Sequence, residues 1–173
     1  LFDAPDDGPE TDAAAPAAMS VETGSLGLAR IFVRELRMDR VTELVLARNQ
    51  LGVAAMIVIA SSLRLDGNLR TLDLSHNEIG PVYPHYDACG IEALADAMFR
   101  CTSLTQLDMT DTKVCGLDRT GAGRLNSKGV RKLCEAMRAN ESIATLRLGD
   151  NHLVPDVAQA LADSLMFNKT MLT

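Results

Sequence analysis

Two hydrophobic rhythms alternate along this chain from residue 41 onward. The first is short. In Leu69-Arg70-Thr71-Leu72-Asp73-Leu74 the side chains of Leu69, Leu72 and Leu74 fall on one side of an extended segment, with Thr71 and Asp73 on the other. Asn77 and Ile79 follow, and the Asn amide suits a turn because it can bond backbone groups left unpaired there. The arrangement recurs at Val41, Leu44 and Leu46 with Asn49 and Leu51. It returns at Leu104, Leu107 and Met109 with Thr112 and Val114, then at Ile143, Leu146 and Leu148 with Asn151 and Leu153. The second rhythm has helical spacing. Met56, Ile59, Ala60 and Leu63 form one stripe, and Ile91, Leu94, Ala95 and Met98 the next. Val130, Leu133, Cys134 and Met137 form the third, and Ala158, Leu161, Ala162 and Leu165 the last. Asp87, Ser127 and Pro155-Asp156 supply start signals for the last three helices.

The strand motifs begin at residues 41, 69, 104 and 143, so the intervals are 28, 35 and 39 residues, and a fifth motif opens at Met171. One such unit cannot bury its own leucines, whereas stacked copies share a core. The form L-x-x-L-x-L-x-x-N-x-I, repeated in register with a helix behind each strand, resembles the ribonuclease-inhibitor-like class of leucine-rich repeats. The resemblance covers residues 41–173. It implies an α/β solenoid with parallel strands on the concave side and helices on the convex side. Two positions depart from the family pattern. Thr112 stands where Asn is usual, which predicts a looser third turn. Ala55 and Val157 replace the usual Gly near the helix start, which predicts less demanding turns.

Residues 1–24 hold six acids and no Lys or Arg, amid Ala, Pro and Thr. Such a segment buries too little apolar surface to offset about 1–2 kcal/mol of backbone ordering per residue, so it reads as disordered. The formal charge of −6 therefore belongs to this segment, since the remaining 17 acids balance 17 Lys and Arg. No basic footprint for nucleic acid emerges, and no apolar run is long enough to span a bilayer. Residues 25–40 carry Leu28, Ile31, Phe32 and Leu36, the stripe of a cap or of a preceding repeat's helix. The chain begins at Leu and ends partway through a strand motif, which reads as a piece of a longer array. Ile57 and Val58 face outward from the first helix, and residues 25–36 are the expected cover.

The chemistry-bearing residues form no convincing catalytic set. His85 and Cys89 lie four apart in a loop without further ligands at metal spacing, and the four cysteines show no paired zinc-type spacing. Gly121-Ala122-Gly123 lacks the G-K-[ST] ending of a phosphate loop. Asp73, Asp108 and Asp111 have nothing to screen them from water, and His76 and His152 read as solvent-facing neighbours of the turn Asn. Neither enzymatic activity nor a cofactor is expected. Free thiols, with Cys134 at an apolar core position, favour an intracellular protein.

Two surfaces remain as partner sites. The long repeats carry their extra residues in the same place, seven within Gly80–Asp87 and eleven within Cys115–Leu125. Registered repeats bring both insertions out along one rim, where Tyr83, His85, Tyr86, Asp118, Arg119 and Arg124 would meet a protein. The alternative is that these loops only pack on each other. The concave row of Asp73, His76, Asp108, Asp111, Arg147 and Asp150 is the second surface. Asp73 and Asp108 should repel on neighbouring strands unless a basic partner joins them; a solvated face neutralised by Arg147 and Arg48 is the favoured reading. The whole predicts a protein-interaction scaffold in the cytoplasm, such as a structural subunit of a cytoskeletal or axonemal (ciliary) assembly. A Ran-type GTPase activator and the sensing array of an innate-immune receptor are the alternatives that the repeat type allows.

Overall fold

The computed structural model describes residues 18–20, 41–63, 67–83 and 85–171. Its elements alternate as β1 (Ala18–Ser20), β2 (Glu43–Val45), α1 (Val53–Leu63), β3 (Thr71–Asp73), α2 (Cys89–Met98), β4 (Gln106–Asp108), α3 (Lys128–Ala139), β5 (Thr145–Arg147) and α4 (Pro155–Leu165). The strands form one parallel sheet in chain order, with the helices stacked behind it. Each strand is three residues long because only that stretch must pair before the chain turns toward its helix.

Register follows the leucines. Leu44 pairs with Leu72, Leu72 with Leu107, and Leu107 with Leu146. The first three are almost fully buried, and with Met56, Ile59, Ile91, Leu94, Val130 and Leu133 they make one continuous core. The expected stripe of α4 is not buried in the same way: Ala158 and Ala162 are exposed, Leu161 and Leu165 half-buried, and Val157 and Ser164 take the buried places. Each rung's core is completed by the rung after it. The rung of β5 has a described neighbour on one side only, so Leu146, Leu148 and Leu153 are half-buried as well.

Asn side chains tie one turn to the next. Asn77 Oδ1 accepts the backbone N–H groups of Asn49 (3.0 Å) and Leu51 (2.9 Å), while its Nδ2 donates to the carbonyls of Leu46 (2.9 Å) and Leu74 (2.8 Å). Asn151 repeats this toward Thr112, Val114 and Met109. Thr112 is fully buried and donates to its own turn's Met109 carbonyl at 2.7 Å. The third turn is therefore closed rather than loose. What the hydroxyl lacks is the reach back to the preceding turn. A second ladder sits at the other end of the helices, where Asn140 donates to Met98 and Cys101, and Asn168 to Met137 and Asn140. Every buried side-chain nitrogen and oxygen among the described residues has a hydrogen-bond partner, as a packed interior requires.

The glycine near the helix start serves packing, not turning. Gly90 and Gly129 lie inside α2 and α3. A Cβ on Gly90 would sit 3.2 Å from Val53 Cα, and one on Gly129 would sit 2.8 Å from Ile91 Cβ, so each absence lets the preceding helix approach. Val157 at the matching place in α4 is buried.

Three expectations about the N-terminal part meet the structure differently. Ala18–Ser20 is a strand paired in parallel with β2, so the segment read as disordered contributes a rung there; the open edge of β2 offers ladder partners that composition alone does not reveal. The rest of residues 1–24, and the stripe in 25–40, lie outside the described residues. Ile57 and Val58 are exposed as expected, and their proposed cover also lies outside the described residues.

Candidate partner-binding rim

The two insertions come out on the same edge and hold each other. The first starts at Gly80, whose N–H donates to the Thr112 carbonyl of the following turn at 3.1 Å. It closes through Tyr86 N–H on the Val82 carbonyl at 2.8 Å, with Tyr86 in the left-handed region at φ 50°. The second doubles back through a bridge between Leu117 and Gly123. Asp118 organises that turn: its Oδ1 accepts from Thr120 N–H (2.8 Å), Thr120 Oγ1 (2.6 Å) and Ala122 N–H (3.0 Å). The Thr120 hydrogen bonds hold its carboxyl below the usual range. Asn126, which leads into α3, donates from Nδ2 to the Tyr86 carbonyl at 3.0 Å and thereby links the loops.

At the meeting point the Tyr83 and Tyr86 rings make an edge contact, with centroids 6.5 Å apart and planes at 80°. The Arg124 guanidinium carbon lies 5.6 Å from the centre of the Tyr86 ring, within cation–π range. Tyr83 is 80% exposed. His85 and Arg119 are exposed too, whereas Tyr86 and Asp118 are half-buried. Two clefts flank the Tyr86–Arg124 contact. One of about 690 Å³ runs past His85 and Leu125 to Lys128 and Arg131; the other, of about 400 Å³, lies between Tyr83, Lys113 and Asp118. Asp118 is thus a turn-former whose Oδ1 is committed to its own loop. The other five residues expected at the rim present side chains outward or frame these clefts.

Some neighbours of the rim were not singled out from the sequence. His152, read as merely solvent-facing, packs over the tip of the second insertion: a Cβ on Gly121 would lie 2.8 Å from its Cε1, and Gly121 has φ 85°. Leu125 is 52% exposed at the cleft mouth. Lys128 and Arg131 sit three apart at the start of α3, a spacing that could have flagged them. Ser127 is the N-cap of α3, as expected, but its side chain makes no capping bond; the Asn126 side chain accepts the Lys128 N–H at 3.1 Å instead.

His85 and Cys89 do not act as a pair. Cys89 instead bonds the Asp87 carboxylate, which accepts its backbone N–H at 2.8 Å. The thiol's own bond to Asp87 pushes Cys89 up and draws Asp87 down. Among the described residues no group of three or more His, Cys, Asp and Glu side chains is arranged to hold a metal ion.

On the concave face the register sets Asp73 beside Asp108 and Asp108 beside Arg147. Each aspartate turns one oxygen to the backbone two residues on, Asp73 to Ser75 (2.8 Å) and Asp108 to Thr110 (2.9 Å). Arg147 lies 3.5 Å from Asp108, and His76 Nδ1 lies 3.2 Å from Asp111. Arg48, His76, Asp111 and Asp150 share one place in successive turns, all with φ between 50° and 61°. The groove between these strands measures about 170 Å³.

The stacked strands, turn ladders and helices define the class: the chain has the leucine-rich-repeat fold. A family model described as Leucine Rich repeat matches residues 68–82. Among solved structures, the fold is similar to the actin-binding site 2 of leiomodin-1. That likeness has a TM-score of 0.60 and 18% identity, and covers 79% of this chain and 69% of that one. It is also similar to the C-terminal domain of tropomodulin from Caenorhabditis elegans, with TM-score 0.56, 12% identity and coverage of 80% and 77%. No curated protein matches in sequence. No described helix is long and apolar enough to cross a membrane.

Proposed function

We propose that this chain is a protein-interaction scaffold of the actin cytoskeleton, without chemistry of its own, and that it engages its partner along the rim of Tyr83, His85, Tyr86, Arg119 and Arg124. The convergence of both insertions on one edge, with Tyr83 four-fifths exposed beside the Tyr86–Arg124 contact, carries the reading. Tyr offers large contact area at low entropic cost, Arg is common at binding hot spots, and a stiff loop loses little freedom on binding. Likeness in fold to the actin-binding site of leiomodin-1 supports the cytoskeletal setting. The concave row of Asp73, His76, Asp108, Asp111, Arg147 and Asp150 serves the fold, since Asp73 and Asp108 cap their own turns and Arg147 and His76 lie against neighbouring carboxylates.

Co-sedimentation with actin filaments tests this. The chain should pellet with filaments in a saturable way, and Tyr83→Ala should weaken that without unfolding the protein. Absence of saturable co-sedimentation removes the cytoskeletal reading.

A further inference from the structure

The larger rim cleft has a one-sided electrostatic character. Among the described residues its lining includes His85, Arg124, Lys128 and Arg131 and no Asp or Glu. The acids nearby are already engaged. Glu92 pairs with Lys128 at 2.9 Å, Asp156 with Arg131 at 2.6 Å, and Asp87 accepts the Cys89 N–H. Among the described residues Arg124 makes no ion pair; its guanidinium lies over Tyr86 and stays exposed. Leu125 stands 52% exposed beside it. A cleft of about 690 Å³ with one uncompensated guanidinium, two acid-paired cations and an apolar lip is therefore preset for one kind of visitor.

We infer that this cleft takes an acidic segment of the partner protein that carries a large apolar side chain, a carboxylate on Arg124 and the apolar group on Leu125 and the Tyr86 ring. The inference rests on the scaffold reading and names the chemistry of what the scaffold grips. Arg124 supplies the decisive contact. It is planar, it can bond a carboxylate through two N–H groups, and Tyr86 holds it in place beforehand. Lys128 and Arg131 are each paired with an acid of this chain, which offsets their charge, so the selectivity rests on Arg124. A nucleic acid fits less well. The cations lie together at one cleft of a repeat region whose formal charges balance, instead of forming an extended stripe that tracks a phosphate backbone.

The test is a fluorescence-anisotropy titration of the full chain with a labelled Glu-rich peptide containing one central Phe. The same peptide with Gln for every Glu, and a labelled single-stranded oligonucleotide of matched length, serve as comparisons. The Glu peptide should bind, the Gln peptide should bind about tenfold more weakly, and the gap should narrow as salt rises. Arg124→Gln should remove most of the gap, whereas Arg147→Gln, which takes the same charge from the concave face, should leave it. Thermal melts of both variants verify that they are folded. Equal binding of the two peptides, an unchanged gap in Arg124→Gln, or tighter binding of the oligonucleotide would each overturn the inference. Filament co-sedimentation reads the scaffold assignment separately: filament binding with no preference for the acidic peptide defeats the cleft alone, and acidic-peptide binding with no filament binding defeats the actin assignment alone.

Discussion

Asn151 reaches back to Thr112: its Oδ1 accepts the Thr112 N–H at 2.9 Å, and its Nδ2 donates to the Met109 carbonyl at 2.7 Å. Thr112 occupies the same place one turn earlier and makes no such reach toward Asn77, because a hydroxyl on Cβ is too short to serve two turns. The joint between the second and third turns is therefore held by backbone bonds, such as His76 N–H to the Thr110 carbonyl at 2.8 Å, and by the His76–Asp111 contact.

Thr112→Asn should complete the ladder. The expected gain is about 1 kcal/mol, seen as a rise in melting temperature. Asn77→Ala should instead cost about 2–4 kcal/mol, since it strips buried N–H groups of Asn49 and Leu51 of their acceptor. A neutral result for Asn77→Ala in chemical denaturation would show that the ladder does not hold the turns.

Truncation of the core should depend on the rung. Leu72 is 1% exposed, so Leu72→Ala should cost about 2–5 kcal/mol. From sequence alone Leu146 would be expected to match it. Half-buried in the structure, Leu146 should lose roughly half as much on truncation to Ala. Equal losses measured by urea unfolding would contradict the burial gradient.

The thiols should react in a fixed order. Cys89 is exposed, while Cys101, Cys115 and Cys134 are buried. Burial pushes the Cys134 thiol up to about 11 and raises Cys115 as well. At mildly alkaline pH iodoacetamide should therefore modify Cys89 alone until the chain unfolds. The bond to Asp87 raises the Cys89 thiol, so less thiolate is present than for a thiol without that neighbour, and Asp87→Asn should speed the modification. The sign for Asp87 runs the other way: its lowered carboxyl contributes stability above the unfolded-state value, lost as pH falls through the folded one. An unchanged Cys89 rate in Asp87→Asn would contradict the contact.

On the concave face, Asp73→Asn should stabilise slightly, by about 0.2–0.5 kcal/mol at low salt. It removes one of two like charges that lie opposite each other, and the Asn oxygen can still accept the Ser75 N–H. A clear destabilisation, read from the melting temperature, would mean that the carboxylate's charge is needed there.

The solenoid was legible because its determinants are periodic. Leu44, Leu72, Leu107 and Leu146 declare their register by spacing, and so do three of the four helix stripes. The rim was legible only as a location. Counting residues against a 28-residue unit places the insertions on one edge, yet nothing periodic says that Arg124 lies over Tyr86 or that His152 lies on Gly121. Left-handed turns were hidden for a different reason. Arg48 is not a residue that such backbone favours, and the stacked neighbours impose on it what His76, Asp111 and Asp150 adopt more easily. The strand at Ala18–Ser20 was missed because composition reports average burial and says nothing of an open sheet edge nearby.

The most direct measurement is amide hydrogen exchange along the chain, alone and with actin filaments bound. Protection gained in residues 80–87 and 115–126, with little change in the strands of the concave face, is the result predicted here. Protection confined to residues 71–76, 106–111 and 145–150, or none on either surface, would contradict the rim as the place where this scaffold meets its partner.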